Sequence, residues 1–229
     1  MTEPNGAQSW IIHQDGALVV VNKPVTIPVQ GDKTNDDSCV KIVSQTLGRR
    51  IFLINRIDRP VSGLVLMGLR PRIQKAYSNY TIIKKYIAIV HKSDSLKVGT
   101  YEHHHTKNAH RKKAYISDDP VQDSKPVTLD IEQVHELDNY TALVISIRSG
   151  RFHQIRAQLA HLSAPIKGDV KYGARRANKD RSIMLHAYQY NCHETEQCFV
   201  AMPELSPLWK ELIKSLDLKK SVQSGSPPA

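Results

Sequence analysis

Two short segments nearly a hundred positions apart fix the frame into which the rest of this chain must fold, because each sets a charged side chain beside a turn at the edge of an apolar run. The first, Asn55-Arg56-Ile57-Asp58-Arg59-Pro60-Val61-Ser62-Gly63, carries Asp58 next to a Ser-Gly turn. Apolar stretches at residues 51–54 and 64–69 flank it and read as strands, so Asp58 and Ser62 fall on the loop between them, where a rigid scaffold can present a side chain. The second, Ser149-Gly150-Arg151-Phe152-His153-Gln154-Ile155-Arg156, ends on Arg156. It follows a strand predicted over residues 140–147, with Leu143, Ile145 and Ile147 on one face. It leads into a helix where Ile155, Leu159 and Leu162 recur at helical spacing, which leaves Arg156 on the helix shoulder.

The remaining elements interleave without a regular period. Residues 17–21 are a continuous apolar run stopped by Asn22-Lys23-Pro24, as expected of a buried strand. Residues 38–47 read as a helix capped by Ser38 and ended by Gly48. A helix over residues 71–82 follows from the recurrence of Ile73, Ala76, Tyr77 and Tyr80, and residues 85–90 alternate as a strand headed by Tyr86. Ser206-Pro207 opens a last helix with a Leu208, Leu212 and Leu216 stripe. Strands and helices mixed in this way, with no β-α-β repeat, predict an α+β fold rather than a doubly wound sheet. The 229 residues suit one large domain or two small ones. The body runs over 10–218, and the polar stretches 1–9 and 219–229 are expected to be flexible tails.

Together the two segments resemble the active-site motifs of the RNA pseudouridine synthases of the RluA-like (Rlu) family. The first is similar to the family's His-Arg-Leu-Asp-x-x-Thr-Ser-Gly signature, the second to its Thr-Gly-Arg-x-His-Gln-Ile-Arg. The likeness continues through Leu159-Ala160, Pro165-Ile166, Gly168-Asp169 and Tyr172-Gly173, and Lys85-Tyr86-Ile87-Ala88-Ile89-Val90 resembles Lys-x-Tyr-x-Ala-x-Val. Departures are few: Asn55 stands for His, Val61 and Ser149 for Thr, and Thr26 where Gly is common after Lys-Pro. The resemblance implies the pseudouridine synthase fold, a mixed, mostly antiparallel central sheet with flanking helices and a catalytic cleft across it. It also implies one catalytic domain over 10–218 without the S4-type RNA-binding domain of many relatives.

Turning uridine into pseudouridine breaks the bond from base nitrogen to sugar, rotates the base and rejoins it through carbon. Nothing is oxidised or hydrolysed. One carboxylate suffices, either attacking the anomeric carbon or removing the sugar's 2′ proton, and the sequence leaves both open. By resemblance that carboxylate is Asp58, and Arg156 is its partner; a nearby guanidinium favours the charged form of a carboxylate and fixes its orientation through a fork of donors. Taken outside the two motifs, Asp58 and Arg156 read as an ordinary buried ion pair tying a loop to a helix. Resemblance further places Tyr86 and Leu185 against the target base, where residue type alone suggests core packing, and gives Arg56 to the RNA position vacated when the base flips out. Lys23 is expected to be structural or to face the RNA weakly.

The formal net charge of +10 predicts a polyanionic partner, since basic surfaces gain affinity by releasing counterions. Two runs concentrate it. Lys107, Arg111, Lys112 and Lys113 lie close to His103, His104, His105 and His110, and Lys171, Arg175, Arg176, Lys179 and Arg181 form the other. Lys112, Lys113, Arg175 and Arg176 are the candidate RNA contacts, on loops. The histidines read as part of a solvated basic loop and not as metal ligands, because three in a row cannot converge from a strand and no acidic partner stands at ligand spacing. Cys39, Cys192 and Cys198 lack paired spacing and are expected as free thiols. No metal, nucleotide or redox cofactor is implied. The expected partner is structured RNA, large-subunit ribosomal RNA first and tRNA second, with a non-catalytic RNA-binding protein of the same fold as the competing reading. A monomer in the cytoplasm, without membrane contact, completes the expectation, because no apolar run approaches the roughly 20 residues that span a bilayer.

Overall fold

In the computed structural model the described residues are 7–31, 36–204 and 206–215. The expected tails lie mostly outside them, as does Leu216. Residues 7–9 are described: Gln8 and Ser9 belong to a short 3-10 turn, and Ala7 is buried.

The longest apolar runs form strands buried on both faces. β1 (Ile11–Gln14) and β2 (Leu18–Lys23) form an antiparallel pair, and Leu18 to Val21 are all buried. α1 (Cys39–Thr46) starts where expected, its Ser38 side chain accepting from the Lys41 N–H. β3 (Phe52–Leu53) and β4 (Ser62–Gly68) bracket the Asp58 loop. α2 (Pro71–Tyr77) stops five residues earlier than its apolar recurrence suggests, because Ile82 already opens β5 (Ile82–His91). β9 (Tyr140–Ile147) and α3 (Gln154–His161) carry the second segment. β10 (Leu185–Cys192), β11 (Gln197–Val200) and α4 (Pro207–Ser215) close the described chain.

Residues 99–136 depart from the sequence reading. The basic, histidine-rich stretch is not a solvated loop: β6 (Gly99–Asn108) and β7 (Lys113–Ser117) form a hairpin, and β6 pairs on its other side with β8 (Lys125–Glu136). Alternation is present, but its inward residues are polar. His103 and His105 are buried while His104, on the opposite face, is not. Each inward imidazole has a hydrogen-bond partner: Gln158 meets His103 at 3.0 Å and the Phe152 carbonyl meets His105 at 2.9 Å. Hydrogen bonding allows polar groups to occupy positions where a pattern search looks for apolar ones.

Among the described residues, eleven strands join one sheet in the order β1-β2-β4-β10-β5-β9-β8-β6-β7, with β11 on β10 and β3 on β4. Only the β4–β10 contact is parallel among the pairings; the others are antiparallel. The architecture is therefore the mixed, mostly antiparallel α+β arrangement expected. The parallel contact sets the site. Gly63 lies opposite Ala187, and a Cβ on Gly63, whose φ is +113°, would stand 2.2 Å from the Ala187 carbonyl oxygen. Next to it the Ser62 hydroxyl meets Nδ1 of the buried His186 at 2.8 Å, and Nε2 of that ring meets the Ala201 carbonyl at 2.9 Å. Ser62 and Gly63, expected on the loop, instead open β4, where pairing with β10 locks the end of the Asp58 loop in place.

Beneath the same loop Lys23 is fully buried and donates to the carbonyls of Pro24, Ile27 and Arg59, at 2.7, 2.9 and 3.3 Å. Burial lowers its pKa to about 8. Thr26, whose N–H donates to the Arg59 carbonyl at 3.0 Å, has a φ of +70°, a left-handed conformation that a β-branched residue adopts at a cost.

Two substitutions probe this loop. Thr26→Gly should stabilise the protein by about 0.5–1 kcal/mol, relief of left-handed strain outweighing the entropy of the added glycine. Gly63→Ala should cost more than about 3 kcal/mol, since backbone rather than a flexible side chain opposes the new methyl. Thermal melts followed by circular dichroism check both, with opposite signs expected.

Candidate active site

The Asp58 loop, the middle of β5, the start of β10 and the first turn of α3 converge on one cleft. Arg56, Asp58, Tyr86, Arg156 and Leu185 all line it. Tyr86 pairs with Ala187 across β5 and β10, and Leu185 with Ala88, so Tyr86 and Leu185 project from the same face of the sheet. Arg56 is exposed at the rim and donates to Gln30 Oε1 at 3.2 Å. A larger cavity of about 1090 Å³ lies among Trp10, Lys23, Lys167 and Trp209. The smaller cleft, where the carboxylate and guanidinium of the two segments meet, is the candidate active site.

Arg156 is buried, and each of its three guanidinium nitrogens donates to a carboxylate. Nε and NH2 donate to Asp169 Oδ2 and Oδ1 at 2.6 and 2.9 Å, a bidentate fork, while NH1 donates to Asp58 Oδ2 at 2.9 Å. Asp169 is 2% exposed. Burial alone would pull the guanidinium pKa down, but the hydrogen bonds and charge of Asp169, then those of Asp58, outweigh it and hold the pKa above its ordinary value. Arg156 also sits over the Tyr172 ring, 5.1 Å from its centroid. A rigid cation therefore grips one oxygen of Asp58, whose side chain keeps 26% of its surface open.

Tyr86 is buried, and burial pushes its hydroxyl up to about 12 against the opposing hydrogen bond from Tyr190, with the Asp58 charge adding to the rise. The two hydroxyls are 3.2 Å apart. Asn55 explains their arrangement: the Leu66 N–H donates to Asn55 Oδ1 at 2.7 Å, which fixes the amide so that Nδ2 donates to the Tyr190 oxygen at 3.2 Å. Tyr190 is then left to donate to Tyr86. Asn55, noted in the sequence only as a departure, is the start of a polarised chain that ends on Tyr86.

His153 and Tyr172 also belong to the site. His153 begins α3 with φ +54°, lines the cleft, and places Nε2 3.6 Å from Asp58 Oδ2. Its Nδ1 meets the Tyr172 hydroxyl at 2.9 Å. Sequence reasoning gave no role to Asp169, Tyr172, His153 or Tyr190. The first three stand inside the stretch over which the family likeness runs, and that was their only signal.

The candidate RNA contacts divide. Lys112, Arg175 and Arg176 are exposed, whereas Lys113 is half-buried on β7, its ammonium 5.2 Å from the Tyr172 ring centroid. Lys171 links the two runs: partial burial lowers its pKa, the positive charges of Arg156 and Lys112 push the same way, and Asp169 and Asp58 oppose them. Positive charge from both runs therefore borders the Asp58 cleft.

Among the described residues, His103, Asp118 and His161 bring potential metal-ligand atoms within 4.8 Å of one another, an acidic neighbour that spacing along the chain did not reveal. The hydrogen bonds do not prepare it for an ion. Gln154 Nε2 donates to Gln158 Oε1 at 3.2 Å, which turns Gln158 Nε2 to donate to His103 Nδ1. His103 then carries its proton on Nε2, the nitrogen facing Asp118, and offers no lone pair there. Among the described residues, Cys39, Cys192 and Cys198 are free thiols, and no helix is long and apolar enough to cross a membrane.

A cleft across a mixed sheet, with a partly exposed carboxylate held by a buried guanidinium and a tyrosine in its lining, fits the arrangement that the sequence likeness implies, and a solved structure agrees on the fold. Human RNA Pseudouridylate Synthase Domain Containing 1 superposes with a TM-score of 0.75 over 96% of both chains at 19% identity. Residues 17–161 match the family of RNA pseudouridylate synthases, and the chain belongs to that family, in its RluA-like branch. Its members are isomerases that act on RNA. Two relatives are named for different RNAs. The tRNA pseudouridine synthase C of Salmonella typhi is 30% identical, over 89% of this chain and 88% of that protein. The Ribosomal large subunit pseudouridine synthase C of Rickettsia prowazekii (strain Madrid E) is 29% identical, over 81% of this chain and 64% of that protein.

The fork to Asp169 yields a prediction. Asp169→Asn keeps the volume but leaves Arg156 buried with half its charge compensation, and should destabilise the protein by about 3–5 kcal/mol. Below its melting point the variant should also lose most pseudouridine formation. Melting curves together with a tritium-release assay on RNA check both effects.

Proposed function

We propose that this protein isomerises a specific uridine of a structured RNA with Asp58 as the reacting group, Arg156 as its anchor, and Tyr86 and Leu185 against the flipped base. The observation that carries this reading is the chain Asp169–Arg156–Asp58, in which both oxygens of the buried Asp169 are spent on the guanidinium and only one oxygen of Asp58 is. A hydrolytic glycosidase usually needs two working carboxyl groups. Here the second carboxylate is 2% exposed and doubly bonded, which favours isomerisation over base excision. With Oδ2 held by Arg156, Asp58 Oδ1 is left for either attack on the anomeric carbon or removal of the 2′ proton.

The target base must leave its stack to enter the cleft, and Arg56 at the rim is suited to the vacated position, giving up its bond to Gln30. Affinity comes from phosphates met by Lys112, Arg175 and Arg176, with a smaller share from Lys113, whose ammonium is already engaged over Tyr172. Resemblance alone places large-subunit ribosomal RNA first. The Salmonella relative, matched along nearly all of both chains, is named for tRNA, while the Rickettsia relative named for ribosomal RNA is matched over 64% of its length. We therefore take tRNA as the substrate and large-subunit ribosomal RNA as the second reading. Pseudouridine mapping of total RNA from cells with and without the gene decides between them. The reaction as written needs no metal or redox cofactor, and the protein works as a monomer where these RNAs are found.

Asp58→Asn should abolish pseudouridine formation while leaving the melting temperature and RNA affinity close to wild type, because volume and the Asp169 fork are kept. Pseudouridine formation at the wild-type rate in that variant ends the assignment. Changing Lys112 and Lys113 to Gln, or Arg175 and Arg176 to Gln, should weaken RNA binding and flatten its salt dependence by up to about one logarithmic unit of slope for each phosphate no longer neutralised. Filter binding at several salt concentrations measures it. An unchanged slope in both double variants returns these side chains to plain solvated surface.

A further inference from the structure

We propose that His153 is a positioning residue for the reaction: a neutral imidazole, held at Nδ1 by the Tyr172 hydroxyl, that turns its Nε2–H toward Oδ2 of Asp58 and leaves Oδ1 as the reacting oxygen. The inference rests on the reading of Asp58 given above and adds two residues to it.

On β7, the end strand of the sheet order, the Ala114 N–H donates to the Tyr172 hydroxyl oxygen at 2.8 Å. With that lone pair taken, the arrangement leaving no buried hydrogen without an acceptor turns the Tyr172 O–H toward His153 Nδ1, 2.9 Å away. Nδ1 then accepts, and the ring proton must sit on Nε2. That nitrogen is 3.6 Å from Asp58 Oδ2, the oxygen Arg156 already holds at 2.9 Å. A contact of 3.6 Å is too long for a hydrogen bond, but such contacts in a resting site shorten when substrate is seated. Two donors aimed at one carboxylate oxygen leave the other as the nucleophile or base.

Several contacts hold the ring in this pose. Phe152 stacks on it with centroids 3.8 Å apart and planes 19° apart, and Lys107 of β6 caps the Phe152 ring at 4.8 Å. His105, also of β6, meets the Phe152 carbonyl at 2.9 Å. The left-handed backbone at His153 is one that a non-glycine residue keeps only where its surroundings enforce it. Burial lowers the pKa of the ring, the charges of Arg156 and Lys171 push the same way, and together they outweigh the opposing charges of Asp58 and Asp169, bringing it to about 4. The imidazole is thus uncharged at neutral pH. It is a poor general base there, which suits an orienting group.

The test uses the full chain with bulk tRNA and ribosomal RNA from cells lacking the gene. Nitrogen-15 NMR of histidine, with the His153 signal assigned by its loss in His153→Gln, should show the Nε2–H tautomer between about pH 6 and 8. His153→Ala should slow single-turnover pseudouridine formation roughly 10- to 100-fold, the range for one charge-assisted hydrogen bond, with RNA affinity nearly unchanged. His153→Gln, whose amide can reach as Nε2 does, should recover part of the rate, and Tyr172→Phe should slow it while mixing the two tautomers. An Nδ1–H tautomer or an imidazolium in the wild type at pH 7 overturns the proposal without needing any variant to fold. A wild-type rate in His153→Ala overturns it equally. If Asp58→Asn is inactive in the same assay, only the inference about His153 falls; if Asp58→Asn is active, the reading beneath it falls as well.

Discussion

The fork between Arg156 and Asp169 is the interaction on which the rest of the site depends. A guanidinium this deeply buried is tolerable only when its charge and its donors are matched, and Asp169 matches two of the three donors used. The third is therefore aimed, not merely satisfied, and Asp58 receives it at 2.9 Å. A helix start and a loop far apart in the chain are thereby joined through charge, while the close approach of Gly63 to Ala187 joins the same loop to the sheet through shape. The two constraints differ in what they govern: one sets which oxygen of Asp58 is free, the other sets how near it stands to Tyr86 and Leu185.

Much of this was legible in the sequence, for identifiable reasons. Continuous apolar runs such as Leu18 to Val21 and the even alternation from Tyr140 to Ile147 became strands at the expected places because burial decided them. The five cleft residues Arg56, Asp58, Tyr86, Arg156 and Leu185 came together because they were carried by motif likeness rather than by pattern. The hairpin of residues 99–117 was missed because its inward positions are His103 and His105, which hydrogen bonding and not hydrophobicity makes fit for burial. Asp169, Tyr172 and Tyr190 were missed as neighbours of the cleft because their contacts span 13 to 104 positions, which no local spacing encodes.

That hairpin also gives the basic stretch two roles. Its outer side carries exposed Arg111 and Lys112, while its inner side supplies Ala114, Lys107 and His105 to the surroundings of His153. A small second apolar cluster of Ala114, Ala157 and Tyr172, with Ile116, Phe152 and Ala160 against it, seats the hairpin on α3. The exposed basic turn and the groups around the Asp58 carboxylate are thus parts of one packed unit.

The place of β10 in the sheet has a consequence for how the cleft is completed. β4 and β5 are near neighbours in the chain, yet they do not pair with each other; β10, more than ninety positions after β5, lies between them. Without β10 the remaining pairings leave the sheet as two halves, each with an open strand edge where β10 inserts. Such edges are templates for wrong pairing. The cleft lined by Asp58, Tyr86 and Leu185 is therefore complete only once β10 closes the seam between the two halves.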